Sequence, residues 1–130
     1  MKGIKLTALG RSVTRLEEVL DRQPDKARFI IDATIQRFKF TFELFWKVAK
    51  ALLAMQGCIV IFPKETVCAA YGAGWLDDDD QVWLDMLEDC NLSSHVYKEE
   101  VADQIYKRIQ TYLPVFQKAL VQLEKFYRAQ

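Results

Sequence analysis

Between Asp25 and Gln56 the apolar residues fall on two helical stripes, and no other pattern in the chain constrains its fold as strongly. One stripe is Ile31, Ile35, Phe38, Phe42, Phe45, Ala49 and Leu52; the other is Phe40, Leu44, Val48, Ala51 and Met55. Steps of three and four residues put each set on one face of a helix. A helix lying on a protein surface needs one apolar face, so two faces predict burial on two sides. One side can meet a bundle core; the second can meet another helix or another subunit. Between them Gln36, Lys39, Glu43, Lys47 and Lys50 form a polar strip, in which Glu43 and Lys47 have the favourable i,i+4 order. Read plainly, that strip is a solvated face.

The rest of the chain is helical by the same test. Leu6, Leu9, Val13, Leu16 and Leu20 predict a first helix over about 6–22, closed by the break at Gln23-Pro24-Asp25. Asp25 can cap the second helix, and Gly57 ends it. Cys58-Ile59-Val60-Ile61-Phe62 has strand-like composition but no strand to pair with, so it reads as an apolar connector packed on the bundle. Pro63 can open a short third helix to about Tyr71, stopped by Gly72 and Gly74. The acidic run Asp77 to Asp80 can cap a fourth helix over about 81–91. Four adjacent aspartates cannot all turn toward one ion, which argues against a metal loop there. The last helix spans about 98–128, with Val101, Ile105, Ile109, Tyr112, Phe116, Leu120, Leu123 and Tyr127 inward and an expected kink at Pro114. Short connections between these segments predict an all-α, antiparallel bundle of four to five helices in a single domain over 1–130.

Composition limits what such a bundle can do. Lys plus Arg equals Asp plus Glu at 18 each, so bulk electrostatics do not favour attachment to nucleic acid. A local basic patch, or one assembled across a dimer, remains open. No apolar run approaches the roughly 20 residues of a membrane helix, and residues 1–10 lack the pattern of a signal peptide. Cys58, Cys68 and Cys90 are odd in number and form no CxxC pair. They read as reduced thiols of a cytoplasmic protein with no zinc site and no cofactor.

His95, the only histidine, lies in the segment Asn91-Leu92-Ser93-Ser94-His95-Val96-Tyr97 between two helical patterns. On a continuous helix Glu88, Asn91 and His95 would share a face while Cys90 lay well around the cylinder. The plain alternative is a linker, in which Asn and Ser cap helix ends. An imidazole can take the proton of an RNA 2′-hydroxyl. That reaction also needs a leaving-group acid and positive charge on the phosphate. A two-fold dimer would bring two imidazoles to one interface. Ser93 or Ser94 as nucleophile lacks the surrounding elbow, and Cys90 with His95 is a weaker pair than Cys90 as a buried structural thiol.

The chain resembles the nucleotidyltransferase substrate-binding protein family, small helical proteins of the HEPN superfamily encoded beside minimal nucleotidyltransferases. The resemblance is carried by residues 35–47 (IQRFKFTFELFWK), by Pro63-Lys64-Glu65 and by Ala73-Gly74-Trp75-Leu76-Asp77. It continues through residues 82–89 (VWLDMLED) and 91–97 (NLSSHVY). It implies a dimer with a groove at its interface, near which Gln36, Arg37, Glu43, Asp85, Asn91, His95 and Tyr97 gather. Many relatives are ribonuclease toxins with an Arg-x4-His-x-Tyr motif, silenced when the partner adenylylates the motif tyrosine. By position His95 would be the catalytic histidine and Tyr97 the modified tyrosine. The motif arginine falls on Cys90, and a thiol supplies neither fixed charge nor bidentate phosphate contacts; Arg37 is the substitute within the same set.

Two functions follow as expectations. One is a non-catalytic partner or substrate-binding subunit of a minimal nucleotidyltransferase in a toxin–antitoxin-like pair, which either presents substrate to that enzyme or is modified by it at Tyr97. The other is a metal-independent ribonuclease toxin acting through His95 across the dimer on RNA. A helical interaction domain with no site stands behind both.

Overall fold

The computed structural model describes residues 5–23, 25, 28–76, 80–94 and 98–129. Its helices are α1 (Leu6–Leu20), α2 (Phe29–Met55), α3 (Pro63–Gly72), α4 (Asp80–Ser93) and α5 (Glu99–Arg128). Each lies within a few residues of the span its periodicity predicts. The antiparallel expectation needs one refinement. Contacts pair α1 with α2 and α5, and α4 with α2 and α5, while α2 and α5 touch each other. Ser12 meets Thr41 and Arg37 meets Arg15, so α1 and α2 run antiparallel. Arg28 meets Asp103, and Phe38 stacks on Tyr112, so α2 and α5 run parallel. The cross-section is a rhombus with α2 and α5 on its short diagonal; among the described residues α1 and α4 do not meet.

That arrangement accounts for the two stripes of α2. Phe38, Phe42 and Phe45 face the core with Trp83, Phe116 and Tyr112, while Val48 is buried beside α1. Trp83 is the core's largest fully buried side chain, stacked on Phe45 at 4.0 Å with Phe116 edge-on at 5.6 Å. Burying an aromatic side chain of this kind contributes roughly 1.5–3 kcal/mol. The two sides are therefore filled largely within one chain, and Phe40 alone of the second stripe is left mostly outward, at 57 % exposure.

Helix ends follow local chemistry. Arg28, at the α2 N-cap, has φ 63°, and its guanidinium donates to Asp103 at 2.6 Å, tying the starts of α2 and α5 together. Asp25 is not the N-cap residue, because the helix starts later than its position suggests, but its carboxylate still accepts from the Ile30 amide in the first turn at 3.2 Å. Gly57 has φ 82°; its amide donates to Ala54 at 3.0 Å and that of Cys58 to Leu53 at 2.9 Å, a Schellman cap. Gly74 (φ 81°) repeats the motif, with its amide on Tyr71 at 3.0 Å and that of Trp75 on Ala70 at 3.1 Å. Trp75 then docks on Phe126 with ring centroids 4.5 Å apart. Gly72 is the last residue of α3 and stops nothing, which corrects the expectation of a two-glycine stop.

The connector after α2 forms no strand, but its expected packing holds only for Val60. Ile59, Ile61 and Phe62 are exposed, Ile59 by 76 %. The segment is held by its backbone instead. The Glu65 carboxylate accepts from the amides of Phe62, at 2.9 Å, and Ile61, and these bonds hold its pKa below the usual carboxylate value. Phe62 has no side-chain acceptor, so only this half of a capping box is made. Of the acidic run, residues 77–79 lie outside the described residues; Asp80 starts α4. α5 is unbroken across Pro114, which sits on the exposed side. The first turn of α1 and the last of α5 are neighbours, with Leu6 and Thr7 lining one hollow with Tyr127 and Arg128.

Candidate functional site

Because α1 and α4 flank α2 without meeting, one face of α2 stays open between them. Gln36, Phe40, Glu43 and Lys47 are exposed on it, and Arg37, Lys39 and Leu44 half-buried. On the α1 side lies a hollow of about 540 Å³, walled by Arg11, Ser12 and Arg15 of α1 and by Arg37, Phe40 and Leu44 of α2. The Ser12 and Thr41 hydroxyls share a 2.6 Å hydrogen bond beside it, and Thr41 also donates to the Arg37 carbonyl at 2.8 Å. Arg37 donates to the Arg15 carbonyl at 2.8 Å, which holds its guanidinium over α1.

On the α4 side, Cys90 packs half-buried against the core. Burial pushes its thiol up to about 12; the nearby Lys39 opposes this, and Asp89 and Glu43 add to it. Lys39 and Glu43 are thus the α2 charges that reach position 90, whereas Arg37 is turned to α1 and is no substitute for the motif arginine within one chain. A thiol held protonated is no nucleophile at neutral pH, which favours the structural reading of Cys90. Ser93 and Ser94 donate to the Cys90 carbonyl at 2.8 and 3.4 Å, closing the last turn of α4 as linker residues do.

The residues of the expected groove therefore divide. Gln36, Arg37 and Glu43 share the open face of α2, with Glu43 paired to Lys47 at 2.9 Å. Asp85 is exposed on α4, accepts from Gln81 at 2.8 Å, and acts electrostatically on Tyr112 of α5. Asn91 is exposed in the last turn of α4. His95 and Tyr97 lie outside the described residues.

Two features escape the sequence reading. Asp89 is 4 % exposed and accepts from Arg108 twice, at 2.9 and 2.7 Å, and from the Tyr112 hydroxyl at 2.6 Å. Burial first, then the bond to Asp89, raises the Tyr112 pKa, and the same carboxylate raises that of Arg108. An acid in step with inward-facing Val82 and Met86 is the signal that could have marked this cluster. The second feature is the Arg11–Arg15 pair, one turn apart on the outer face of α1. Among the described residues no carboxylate pairs with either of them or with Arg37. Nor do any three His, Cys, Asp or Glu converge among those residues to hold a metal ion, and no helix there is long and apolar enough to cross a membrane.

Residues 4–125 match the family described as nucleotidyltransferase substrate binding protein like. A Thermus thermophilus protein of known crystal structure is similar at 31 % identity and a TM-score of 0.81, over 88 % of this chain and 98 % of that one. Comparison with curated proteins gives no match.

Proposed function

The chain belongs to the nucleotidyltransferase substrate-binding protein family, and from that membership we propose that it is the partner subunit of a minimal nucleotidyltransferase. The family match across residues 4–125 carries this reading. The open polar face of α2 supports it, since a surface offered to a partner or substrate needs exposed polar groups. In the finer form of the proposal the chain is a homodimer in a HEPN-type toxin–antitoxin pair, and the partner adenylylates Tyr97. The phenol oxygen attacks the α-phosphorus of ATP, pyrophosphate leaves, and the phenolic proton passes to solvent or a base.

The test is co-purification with a minimal nucleotidyltransferase from the same organism, followed by incubation with ATP and mass spectrometry. A complex, with an AMP adduct on Tyr97 that Tyr97→Phe abolishes, is the expected result. Absence of any complex overturns the partner reading, and a complex without adduct overturns the modification. A second reading, ribonuclease action through His95, draws on one observation: the Lys39 charge reaches position 90, where the motif arginine is missing. Metal-free RNA cleavage that is lost in His95→Ala and enhanced in Cys90→Arg would establish it; silence of the wild type would end it.

A further inference from the structure

We propose that the hollow between α1 and α2 binds a free nucleoside triphosphate, with its phosphates on Arg11, Arg15 and Arg37 and its base against Phe40. The proposal deepens the partner reading and rests on it for its choice of ligand: a nucleotidyltransferase consumes a nucleotide, and this face would hold one.

Charge is the first argument. The protein is formally neutral, yet this hollow gathers arginines that no carboxylate of the described residues neutralises. The acid on its rim, Glu43, is already matched by Lys47 at 2.9 Å. Guanidinium groups bind phosphate oxygens through paired N–H donors, and they do so best where an apolar floor lowers the local dielectric. Arg11 and Arg15 stand one turn apart on α1, and Arg37 is fixed beside Arg15 through its carbonyl, so the three cations form one cluster.

Shape is the second argument. The floor is apolar, made by Leu44, Ala8 and the ring of Phe40. Phe40 is 57 % exposed, an aromatic face of the kind on which a base stacks. A volume of about 540 Å³ is within the usual range for small-molecule sites. Along α1 the hollow runs from Ala8 to Arg15, two helical turns or roughly 10 Å. A neighbouring hollow reached past Glu43 and Leu44 adds Lys5. This length suits one nucleotide and is short for an extended nucleic-acid strand or a docked helix.

Calorimetric titration of the purified full chain with ATP tests the site, with adenosine, tripolyphosphate and a twelve-nucleotide RNA as comparison probes. ATP is expected to bind at least about tenfold more tightly than adenosine, because the phosphates supply most of the contacts. Arg11→Gln with Arg15→Gln is expected to weaken ATP about tenfold or more and to flatten its salt dependence. Phe40→Ala is expected to weaken ATP several-fold at unchanged salt dependence. All three side chains are exposed, so the variants keep the fold. No binding of ATP at millimolar concentration, or unchanged affinity in the double arginine variant, overturns the proposal. Tripolyphosphate binding as tightly as ATP overturns the role of Phe40. RNA bound far more tightly than ATP by the same arginines replaces the nucleotide with a strand. Complex formation with the nucleotidyltransferase is scored separately. A complex without ATP binding to the free chain sinks this site and leaves the partner reading standing; ATP binding through these arginines without a complex does the reverse.

Discussion

Asp89 and Arg108 are not equivalent halves of their ion pair. Asp89 is buried, whereas the Arg108 side chain is 43 % exposed and can reach water when its partner is lost. Arg108→Ala should therefore cost about 3 kcal/mol, because it strands a buried carboxylate. Asp89→Asn should cost about 1–2 kcal/mol, since a hydrated guanidinium and an amide acceptor for Tyr112 remain. Urea denaturation of both variants checks this order, and equal costs would show that Asp89 is reached by water. Cys90 offers a second test. Cys58 and Cys68 are exposed and Cys90 is not, so at pH 8 a thiol reagent should label the first two quickly and Cys90 only on unfolding. In the unfolded chain the Cys90 thiol ionises near 9.0, and in the folded chain near 12. Its contribution to stability is thus complete below about pH 9 and lost as pH rises toward about 12. The raised Tyr112 phenol adds a loss of the same sign. Cys90→Ala should flatten the alkaline limb of a stability–pH curve, and an unchanged limb would contradict the burial of the thiol. That Cys90 is a packing residue follows from the general preference of a free cysteine for burial, since its sequence neighbours Asp89 and Asn91 are polar. That Lys39 is the cation near it was not readable, because helical spacing does not say how α4 is rotated against α2.

At the scale of the element, the caps were the most legible features, since each is written in a few consecutive residues. Gly57 and Gly74 sit at positive φ in Schellman motifs, with open space around them. Gly74→Ala should cost about 1–2 kcal/mol through backbone strain alone. Gly72→Ala, inside α3 with nothing within 4 Å and no positive φ, should be neutral or stabilising by up to about 1 kcal/mol. Thermal unfolding of the pair separates the glycine that ends α3 from its neighbour, a distinction the sequence reading did not make. The connector 58–62 was misjudged for a related reason. Its composition asks for burial, but Cys58, Ile59, Ile61 and Phe62 lie outside and Val60 alone reaches the core. Hydropathy reports what a segment would gain from packing and not whether a cavity exists to receive it.

For the molecule as a whole, the two apolar stripes of α2 were enough to place it at the centre, though not to say that α1 rather than a second subunit would cover much of the further side. One core follows, and its middle is Trp83. The indole N–H of Trp83 is buried without a hydrogen-bond partner among the described residues. Trp83→Ala should cost about 3–5 kcal/mol by emptying the core. Trp83→Phe should cost less than about 1 kcal/mol, because relief of the unpaired donor offsets a smaller cavity. Equilibrium unfolding distinguishes the two, and equal losses would mean that the N–H does have a partner. The candidate site was legible only in part: Gln36 and Glu43 fall on one polar strip and Arg37 comes from the family resemblance, but the arginines of α1 join them only through tertiary packing. The meeting of the first turn of α1 with the last turn of α5 carries a separate consequence. Among the described residues the first and last helices therefore lie side by side at these ends. A short linker from Ala129 to Lys5, with new ends opened in the exposed connector, would give a circular permutant reading α3-α4-α5-α1-α2. Such a chain would keep the same core while turning the α1–α5 contact, now among the most distant in sequence, into one between neighbours.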